Sequence, residues 1–284
     1  MGPTVTEATA TGVDGSVPDG DPLILVERVG PDRDVVLLTL NRPEQRNPLD
    51  KATIRRLREL LTALAEGDTP RAIVLTGAGP AFSAGGDLKG YQTLYRDTEA
   101  FAQFMEDFSA AAELLERGPM LTVAMINGAC VAGGTELSLA CDFVTIADDA
   151  RIGDGHLRFA QLPGAGGSQR LIRAIGVQRA RHWLLTGRLF PARDAVDIGL
   201  ALFSAPAAEL RTRTLELVEE IGRLSPLAVQ TMKRLVSAGL VTGGLDAALA
   251  IETQEVFDYA TTSYDATEGL NAFAERRPPE YKGR

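Results

Sequence analysis

The chain has 284 residues, of which 45% are hydrophobic and 24% are charged. This length and composition suit a globular protein with a large core, and they exclude a small disulfide-stapled scaffold and a disordered chain. Acidic residues outnumber basic ones by 38 to 29, which gives a net charge of −9, so nucleic acid is not an expected partner. The longest mostly apolar run, residues 121 to 132, is too short to span a bilayer, and no membrane is expected as a partner.

The N-terminal segment and the cysteines point to a cytoplasmic protein. Residues 1 to 21 are rich in Thr, Gly, Pro and Asp and carry few large apolar side chains, so we interpret them as a mobile tail. They lack the basic and apolar regions of a secretory signal. Cys130 and Cys141 lie among small and apolar residues without a metal-ligand or disulfide spacing, which favours packing roles in a reducing compartment.

Apolar and β-branched runs alternate with amphipathic segments from residue 23 onward. The runs 23–29 and 35–40 flank a turn sequence and predict a hairpin. Further strands are predicted at 72–76, 122–126 and 143–147, with helices at 50–66, 98–117 and 134–140. This recurrence predicts an α/β core with a largely parallel sheet. Beyond residue 170 mainly helices are predicted, at 178–185, 192–198, 209–224, 226–238 and 245–261.

Two Gly-rich stretches follow predicted strands. The first, residues 81–89, contains Gly86, and the second, residues 127–136, contains Gly133 and leads into a helix. Glycines let a ligand approach the backbone, and free N–H groups at a helix start attract anions. If the stretches converge, the N–H groups of Gly86 and Gly133 would hold a developing oxyanion. Either stretch alone fits an ordinary loop equally well, and neither has the spacing of a nucleotide-binding loop.

Glu136 and His156 are the candidate acid/base groups. Glu136 follows the second Gly-rich stretch in an apolar segment that would raise its pKa toward the range useful for proton transfer, although a carboxylate in a first helical turn also simply stabilises the helix. His156 belongs to a third stretch with several glycines, residues 154–167, and its ordinary pKa suits proton transfer. A structural role for His156 is equally compatible with the sequence, and no metal site is indicated.

Several motifs in chain order resemble the enoyl-CoA hydratase/isomerase (crotonase) family. They are Leu40-Asn41-Arg42-Pro43 with Asn47, residues 81–89, 127–142 and 163–171, Leu185-Thr186-Gly187, and the end from Glu268-Gly269 to Arg284. The resemblance runs from about residue 23 to the end. It implies a crotonase-type spiral of βαβ units, with residues 22–208 as the spiral core and residues 209–284 as a C-terminal helical trimerisation region. It also implies acyl-CoA thioesters as ligands, a homotrimer or dimer of trimers, and no cofactor beyond the CoA carried by the substrate.

The resemblance also implies roles for single positions. The N–H groups of Gly86 and Gly133 would form the oxyanion hole for a thioester enolate, and Glu136 matches the first catalytic glutamate of the hydratases. Three further positions would contact CoA, the last two often from a neighbouring subunit: Lys89, Phe273 and Arg276. A plain solvated charge explains Lys89 and Arg276 equally well.

Two positions depart from the family pattern. His156 stands where typical hydratases have their second glutamate, and Glu44 stands where many members have a lysine directed toward CoA. An imidazole still exchanges protons, so hydration is kept, with Asp154 either substituting for the missing carboxylate or orienting His156.

The interpretation we favour is an acyl-CoA lyase of hydratase type, with Glu136 as the principal acid/base. The same stabilised enolate also serves double-bond isomerisation, decarboxylation and C–C cleavage, and a catalytically silent acyl-CoA-binding oligomer is the alternative of another class. Five aromatic residues either line the acyl pocket or belong to the core: Tyr91, Tyr95, Phe101, Phe104 and Phe108.

Overall fold

The computed structural model describes residues 22–284, and the tail predicted for residues 1–21 lies outside the described residues. The strands are β1 Ile24–Val29, β2 Val35–Leu40, β3 Ala72–Gly77, β4 Ala81–Ser83, β5 Leu121–Ile126, β6 Ala129–Val131, β7 Phe143–Ala147, β8 Arg151–Gly153, β9 Phe190–Pro191 and β10 Phe203–Ala205. The helices are α1 Lys51–Glu66, α2 Leu88–Leu94, α3 Thr98–Arg117, α4 Gly133–Ala140, α5 Gly167–Ile175, α6 Val177–Thr186, α7 Ala192–Asp197, α8 Ala207–Gly222, α9 Pro226–Val241, α10 Leu245–Thr262 and α11 Tyr264–Glu275.

A six-stranded sheet forms the centre of the core, in the order β1-β2-β3-β5-β7-β10. The hairpin β1–β2 is antiparallel, and every later pair in this sheet is parallel. Strands β3 and β5 are buried along their whole length, as expected for parallel strands covered on both faces. The predicted hairpin and the predicted largely parallel sheet are therefore confirmed.

A second, smaller sheet has the order β4-β6-β8-β9. Strands β4, β6 and β8 pair in parallel, and each follows a strand of the large sheet after a short turn. Each turn of the chain thus adds one strand to each sheet before a helix returns, which produces a spiral of βαβ units. Both Gly-rich stretches overlap strands of this smaller sheet, so the spiral stacks them next to each other.

Two of the helices that return the chain, α1 and α3, start at capping aspartates. The Asp50 side chain accepts a hydrogen bond from the Thr53 N–H at the start of α1, and the Asp97 side chain accepts one from the Ala100 N–H at the start of α3. Such a cap contributes about 1 kcal/mol by satisfying a backbone donor that has no partner inside the helix. Helices α1 and α3 pack against each other, and α3 also contacts α4.

The C-terminal region is helical. Helix α8 packs on β5, β7 and β10, whereas α9, α10 and α11 contact one another. Helix α10 buries none of its residues within the chain. In the described part of the chain, none of the helices combines the length and the apolar character needed to cross a membrane. The division into a core ending at residue 208 and a trimerisation region from residue 209 stays a prediction.

The predicted helices and strands lie within about three residues of their observed positions, and several further elements were not predicted. The helix predicted from residue 98 to 117 is α3 without change, and the helix predicted from 209 to 224 is α8, which runs from Ala207 to Gly222. Strands β4, β6 and β8 have three residues each, too few for a hydrophobic period to show. Helices α2, α5 and α11 are also absent from the sequence-based assignment, and α2 buries none of its residues.

Candidate active site

The two Gly-rich stretches meet in space. Gly85 and Gly86 lie just before α2, and Gly133 is the first residue of α4. A Cβ atom on Gly85 would lie 2.9 Å from the Ala132 Cβ and 3.6 Å from the Gly133 nitrogen. The structure therefore brings together the two backbone segments that the sequence analysis singled out.

A buried network holds the first stretch in place. The Asn47 side-chain amide donates to the carbonyl oxygens of Ala81 and Phe82 at 2.8 and 3.2 Å. The Ser83 hydroxyl donates to the Asn47 carbonyl at 2.7 Å and accepts from the Gly85 N–H at 3.1 Å. Because these partners are buried, the backbone around Gly86 is fixed before any ligand arrives.

The second stretch enters α4 through a strained residue. Ala132 has φ 51° and ψ −116°, a left-handed conformation that is costly for a residue with a Cβ atom. Its N–H donates to the Gly153 carbonyl at 3.1 Å, which ties this conformation to the small sheet. This conformation of Ala132 sets the direction in which α4 begins. Gly133 is the first residue of the helix, so its N–H has no carbonyl acceptor in a preceding turn.

Glu136 lies in that first turn and is 2% exposed. Its Oε1 accepts hydrogen bonds from the N–H groups of Ala165 at 2.7 Å and Gly167 at 2.9 Å. Burial raises the pKa of the Glu136 carboxyl above its ordinary value, although these two N–H groups and the neighbouring His156 act in the opposite direction. Oε2 is left free to face the rest of the site.

His156 lies between two carboxylates. It begins the 3₁₀ turn His156–Phe159, and its Nδ1 lies 2.9 Å from Asp154 Oδ2 while its Nε2 lies 3.7 Å from Glu136 Oε2. Burial lowers the pKa of His156, but the hydrogen bond to Asp154 and the charges of Asp154 and Glu136 outweigh burial, so the pKa is raised. The contact with Asp154 favours the form that carries a proton on Nδ1.

The predicted CoA contacts lie at the surface of the chain. Lys89 is exposed on α2, three residues after Gly86. Phe273 on α11 is 85% exposed, and Arg276 ends that helix at φ 55°. Helix α11 contacts α9 and α10. The roles of these three residues stay predictions.

Sequence reasoning missed two features of the site. The first is the pair of N–H donors to Glu136 from Ala165 and Gly167, although the Gly-rich stretch that contains them was visible. The second is the contact of Tyr91 with Gly86, since the Tyr91 hydroxyl occupies the space that a Cβ atom on Gly86 would need. Of the five aromatic residues, Phe104 and Phe108 are buried in the core, whereas Tyr95 is 47% exposed.

Comparisons with known proteins identify the family of the chain. The family model described as enoyl-CoA hydratase/isomerase matches residues 31–284. The 2,3-dehydroadipyl-CoA hydratase of Escherichia coli (strain K12) is 34% identical over 260 residues, which are 88% of this chain and 96% of that protein. Among crystal structures, the enoyl-CoA hydratase from Bacillus anthracis superposes with a TM-score of 0.86 at 38% identity, over 93% of this chain and 100% of that one. The enoyl-CoA hydratase of Mycobacterium smegmatis gives a TM-score of 0.85 at 30% identity, over 92% and 99% of the two chains.

The family match covers nearly the whole described chain, and the structural neighbours share its spiral core. The chain therefore belongs to the enoyl-CoA hydratase/isomerase family and is an enzyme of crotonase fold and hydratase type.

Proposed function

We propose that the protein adds water to a trans-2-enoyl-CoA, with Glu136 and His156 as the two groups that move protons. The observation that carries the proposal is the 3.7 Å separation of Glu136 Oε2 and His156 Nε2. In the proposal one water molecule contacts both atoms, because water readily bridges two polar groups that are too far apart for a direct hydrogen bond. The hydratase names of the relatives support the same reaction.

The two groups begin in opposite protonation states. Burial raises the pKa of Glu136, and the two N–H groups that Oε1 accepts act against that rise and favour the carboxylate. The two neighbouring carboxylates raise the pKa of His156 and favour its imidazolium. The proposal assigns Glu136 as the base and His156 as the acid. Hydration needs a base that takes a proton from the water and an acid that gives a proton to the α-carbon. Glu136 and His156 fill these two roles in the proposal.

The remaining steps follow from the backbone. The thioester oxygen accepts from the N–H groups of Gly86 and Gly133, which stabilise the negative charge that develops as the water oxygen bonds to carbon 3. Glu136 takes the proton released by that water, and the electron pair of the double bond moves into the enolate. His156 then gives its proton to carbon 2 as the enolate collapses, and the proton on Glu136 returns to His156. One N–H donor of the oxyanion hole stabilises the transition state by about 3 kcal/mol. The proposed steps need no resident cofactor.

The CoA moiety is held, in this proposal, by Lys89 and by Phe273 and Arg276 from the C-terminal helix of a neighbouring subunit. Lys89 is exposed just past Gly86, where a phosphate contact is possible without burying a charge. Glu44 is an acidic residue in the position where many family members have a lysine, so Lys89 carries more of the phosphate attraction.

A homotrimer or dimer of trimers is the assembly we propose. Its support is the set of apolar side chains exposed on α9 and α10, where Val236, Val241, Leu245 and Phe257 are more than half exposed, because clustered apolar surface marks interaction sites. The free thiols of Cys130 and Cys141 support a reducing cytoplasm as the location.

The experiment is incubation of the enzyme with trans-but-2-enoyl-CoA in deuterated water, followed by mass spectrometry and proton NMR of the thioester. We expect 3-hydroxybutanoyl-CoA with one deuterium on carbon 2. Double-bond movement without addition would replace the proposal by an isomerase, and binding without α-proton exchange would replace it by a silent acyl-CoA binder.

Variants assign the roles. We expect Glu136→Gln and His156→Ala each to lower kcat by about 10²–10⁴-fold, while the Kd for a saturated acyl-CoA changes little. His156→Glu restores a second acid/base and should recover part of the activity lost in His156→Ala. Unchanged turnover in Glu136→Gln would contradict the assignment.

A further inference from the structure

Tyr91 is a polar group of the site that the hydration steps do not use. It lies on α2, and a Cβ atom on Gly86 would overlap its hydroxyl oxygen and the end of its ring. The hydroxyl therefore lies directly over the residue whose N–H is assigned to the thioester oxygen. Among residues 22–284, no group forms a hydrogen bond with this hydroxyl.

The ring is held on both sides. Tyr95 stacks on it with ring centres 5.4 Å apart and an interplanar angle of 18°, and Phe104 meets it edge-on at 5.9 Å. Phe104 in turn packs edge-on against Phe108, whose ring atom Cζ lies 3.3 Å from where a Cβ on Gly133 would be. The rings of Tyr91, Phe104 and Phe108 thus form an aromatic wall that runs from Gly86 to Gly133. Tyr91 is the one member of these three that has a hydroxyl, and it lies at the Gly86 end.

The neighbouring Tyr95 hydroxyl is already engaged. It donates to the side-chain oxygen of Gln161, and the Gln161 N–H donates to the His156 carbonyl at 3.1 Å. Tyr95 therefore fixes the wall to the turn that carries His156. Tyr91 and Tyr95 form a matched pair, in which one hydroxyl has a protein partner and the other does not.

We propose that Tyr91 is a specificity-determining residue whose hydroxyl donates a hydrogen bond to a neutral oxygen near carbon 4 of the acyl chain. The position is inferred from Gly86, because its N–H is assigned to the thioester oxygen and the Tyr91 hydroxyl lies against the same residue. Carbons 2 and 3 are the reacting atoms, so carbon 4 is the first place where a substrate-specific oxygen can stand. Tyr91 is half-buried, and an apolar chain that displaces water from its hydroxyl would leave the hydroxyl unsatisfied.

The acceptor is expected to be neutral. Burial raises the pKa of the Tyr91 hydroxyl, and the neighbouring Tyr95, Glu136, Asp87 and Asp50 raise it further, so the group stays a protonated donor. The same acidic residues repel a substrate carboxylate at this point. A ketone or a hydroxyl on the acyl chain is therefore favoured over an acid.

The inference rests on the proposed function for the orientation of the acyl chain, and a binding experiment tests it without turnover. Three acyl-CoAs of matched shape differ only at carbon 4: 4-oxopentanoyl-CoA has a ketone, 4-methylpentanoyl-CoA a branched alkane and succinyl-CoA a carboxylate. Their Kd values are measured by calorimetry on the wild type, Tyr91→Phe and Tyr95→Phe. Hydration of but-2-enoyl-CoA is measured separately in all three proteins, so that a failure of the proposed function shows there alone.

We expect the wild type to bind the ketone about fivefold to tenfold more tightly than the alkane, as one neutral hydrogen bond predicts. Tyr91→Phe should remove this preference by weakening the ketone alone, whereas Tyr95→Phe should keep it. An equal loss for ketone and alkane in Tyr91→Phe, or no preference in the wild type, would overturn the proposal. Tighter binding of succinyl-CoA than of the ketone would overturn the neutral acceptor.

Discussion

The Oδ2 atom of Asp154 lies 2.9 Å from the Nδ1 atom of His156, and both side chains are largely buried. The contact does two things for the imidazole. It directs a proton to Nδ1, which turns Nε2 toward Glu136, and its negative charge raises the pKa of His156. In the proposed mechanism Asp154 is therefore a positioning residue that acts through His156.

Replacing this carboxylate should move the alkaline limb of the pH–rate profile. Asp154→Asn keeps an oxygen that accepts from Nδ1 but removes the charge, so the pKa of His156 falls. Because His156 acts as the acid, we expect the decline of kcat at high pH to begin at a lower pH in the variant. The measurement is kcat for but-2-enoyl-CoA from pH 5 to 9.5. Asp149→Asn, which changes an exposed carboxylate in the turn between β7 and β8, serves as the control, and an alkaline limb that shifts equally in both variants would refute the role of Asp154.

The same contact predicts a pH dependence of stability. The folded pKa of His156 is raised above its unfolded value, so the stabilisation is fully present below the unfolded pKa and is lost as pH rises through the folded pKa. We expect Asp154→Asn to lower the free energy of unfolding more at pH 6 than at pH 9. Urea unfolding at both pH values, at one protein concentration, measures the difference. A loss of equal size at both values would mean that the charge of His156 is not involved.

Gly167 is required by the close approach of Glu136. A Cβ atom on Gly167 would lie 2.9 Å from the Glu136 Cγ, 3.1 Å from its Oε1 and 3.1 Å from the Pro163 Cβ. In Gly167→Ala the carboxylate must move away from its two N–H donors. Since a displacement of about 1 Å in a catalytic group costs on the order of 10²-fold, we expect a fall of that size in kcat with little change in acyl-CoA affinity.

Gly239→Ala is the matched control for this substitution. Gly239 is in α9, and a Cβ atom there would meet nothing within 4 Å. Alanine is favoured over glycine inside a helix by about 1 kcal/mol, so this variant should unfold at higher urea concentration and keep its kcat. Full activity in Gly167→Ala would show that Glu136 tolerates the shift or is not the base.

The fold was predictable because its long elements show their periods in the sequence. Helix α1 buries Ile54, Leu57 and Leu61 at helical spacing, and β3 is an uninterrupted buried run. The small sheet gives no such signal, since its strands β4, β6 and β8 obtain their pairing from the large sheet that positions them. Tertiary context, rather than local preference, decides those segments.

The sequence indicated which segments meet at the candidate site but not the contacts between them. The spacing of the glycines and of Glu136 indicated the two segments that meet, and the resemblance pointed to His156 as the departure. The sequence left open whether Asp154 substitutes for a carboxylate or orients the imidazole, and the distance to Nδ1 favours orientation. The contact between Gly86 and Tyr91 joins residues on a loop and a helix that the periodicity did not reveal.

Lys233 provides a prediction about stability far from the chemistry. Its Nζ donates to the carbonyl oxygens of Leu115 at 2.9 Å and Met120 at 2.8 Å, and it lies 2.8 Å from Asp142 Oδ2. The Lys233 side chain is 7% exposed. Burial raises the pKa of Asp142, and Lys233 acts against that rise. The pair therefore joins α9 to the large sheet through a charge that has little contact with water.

Removing the ammonium group should be costly because the half-buried Asp142 carboxylate then lacks its charged partner and keeps only its hydrogen bonds from Thr122. We expect Lys233→Met to lower the free energy of unfolding by about 1–3 kcal/mol at pH 7.5, and by less at pH 5, where protonation of Asp142 relieves the uncompensated charge. Adding Asp142→Asn should recover part of the loss, since no charge is then left unpaired. Urea unfolding of the wild type, both variants and the exposed-pair control Arg223→Met measures this, and a Lys233→Met effect as small as that control would show that the buried pair contributes no stability.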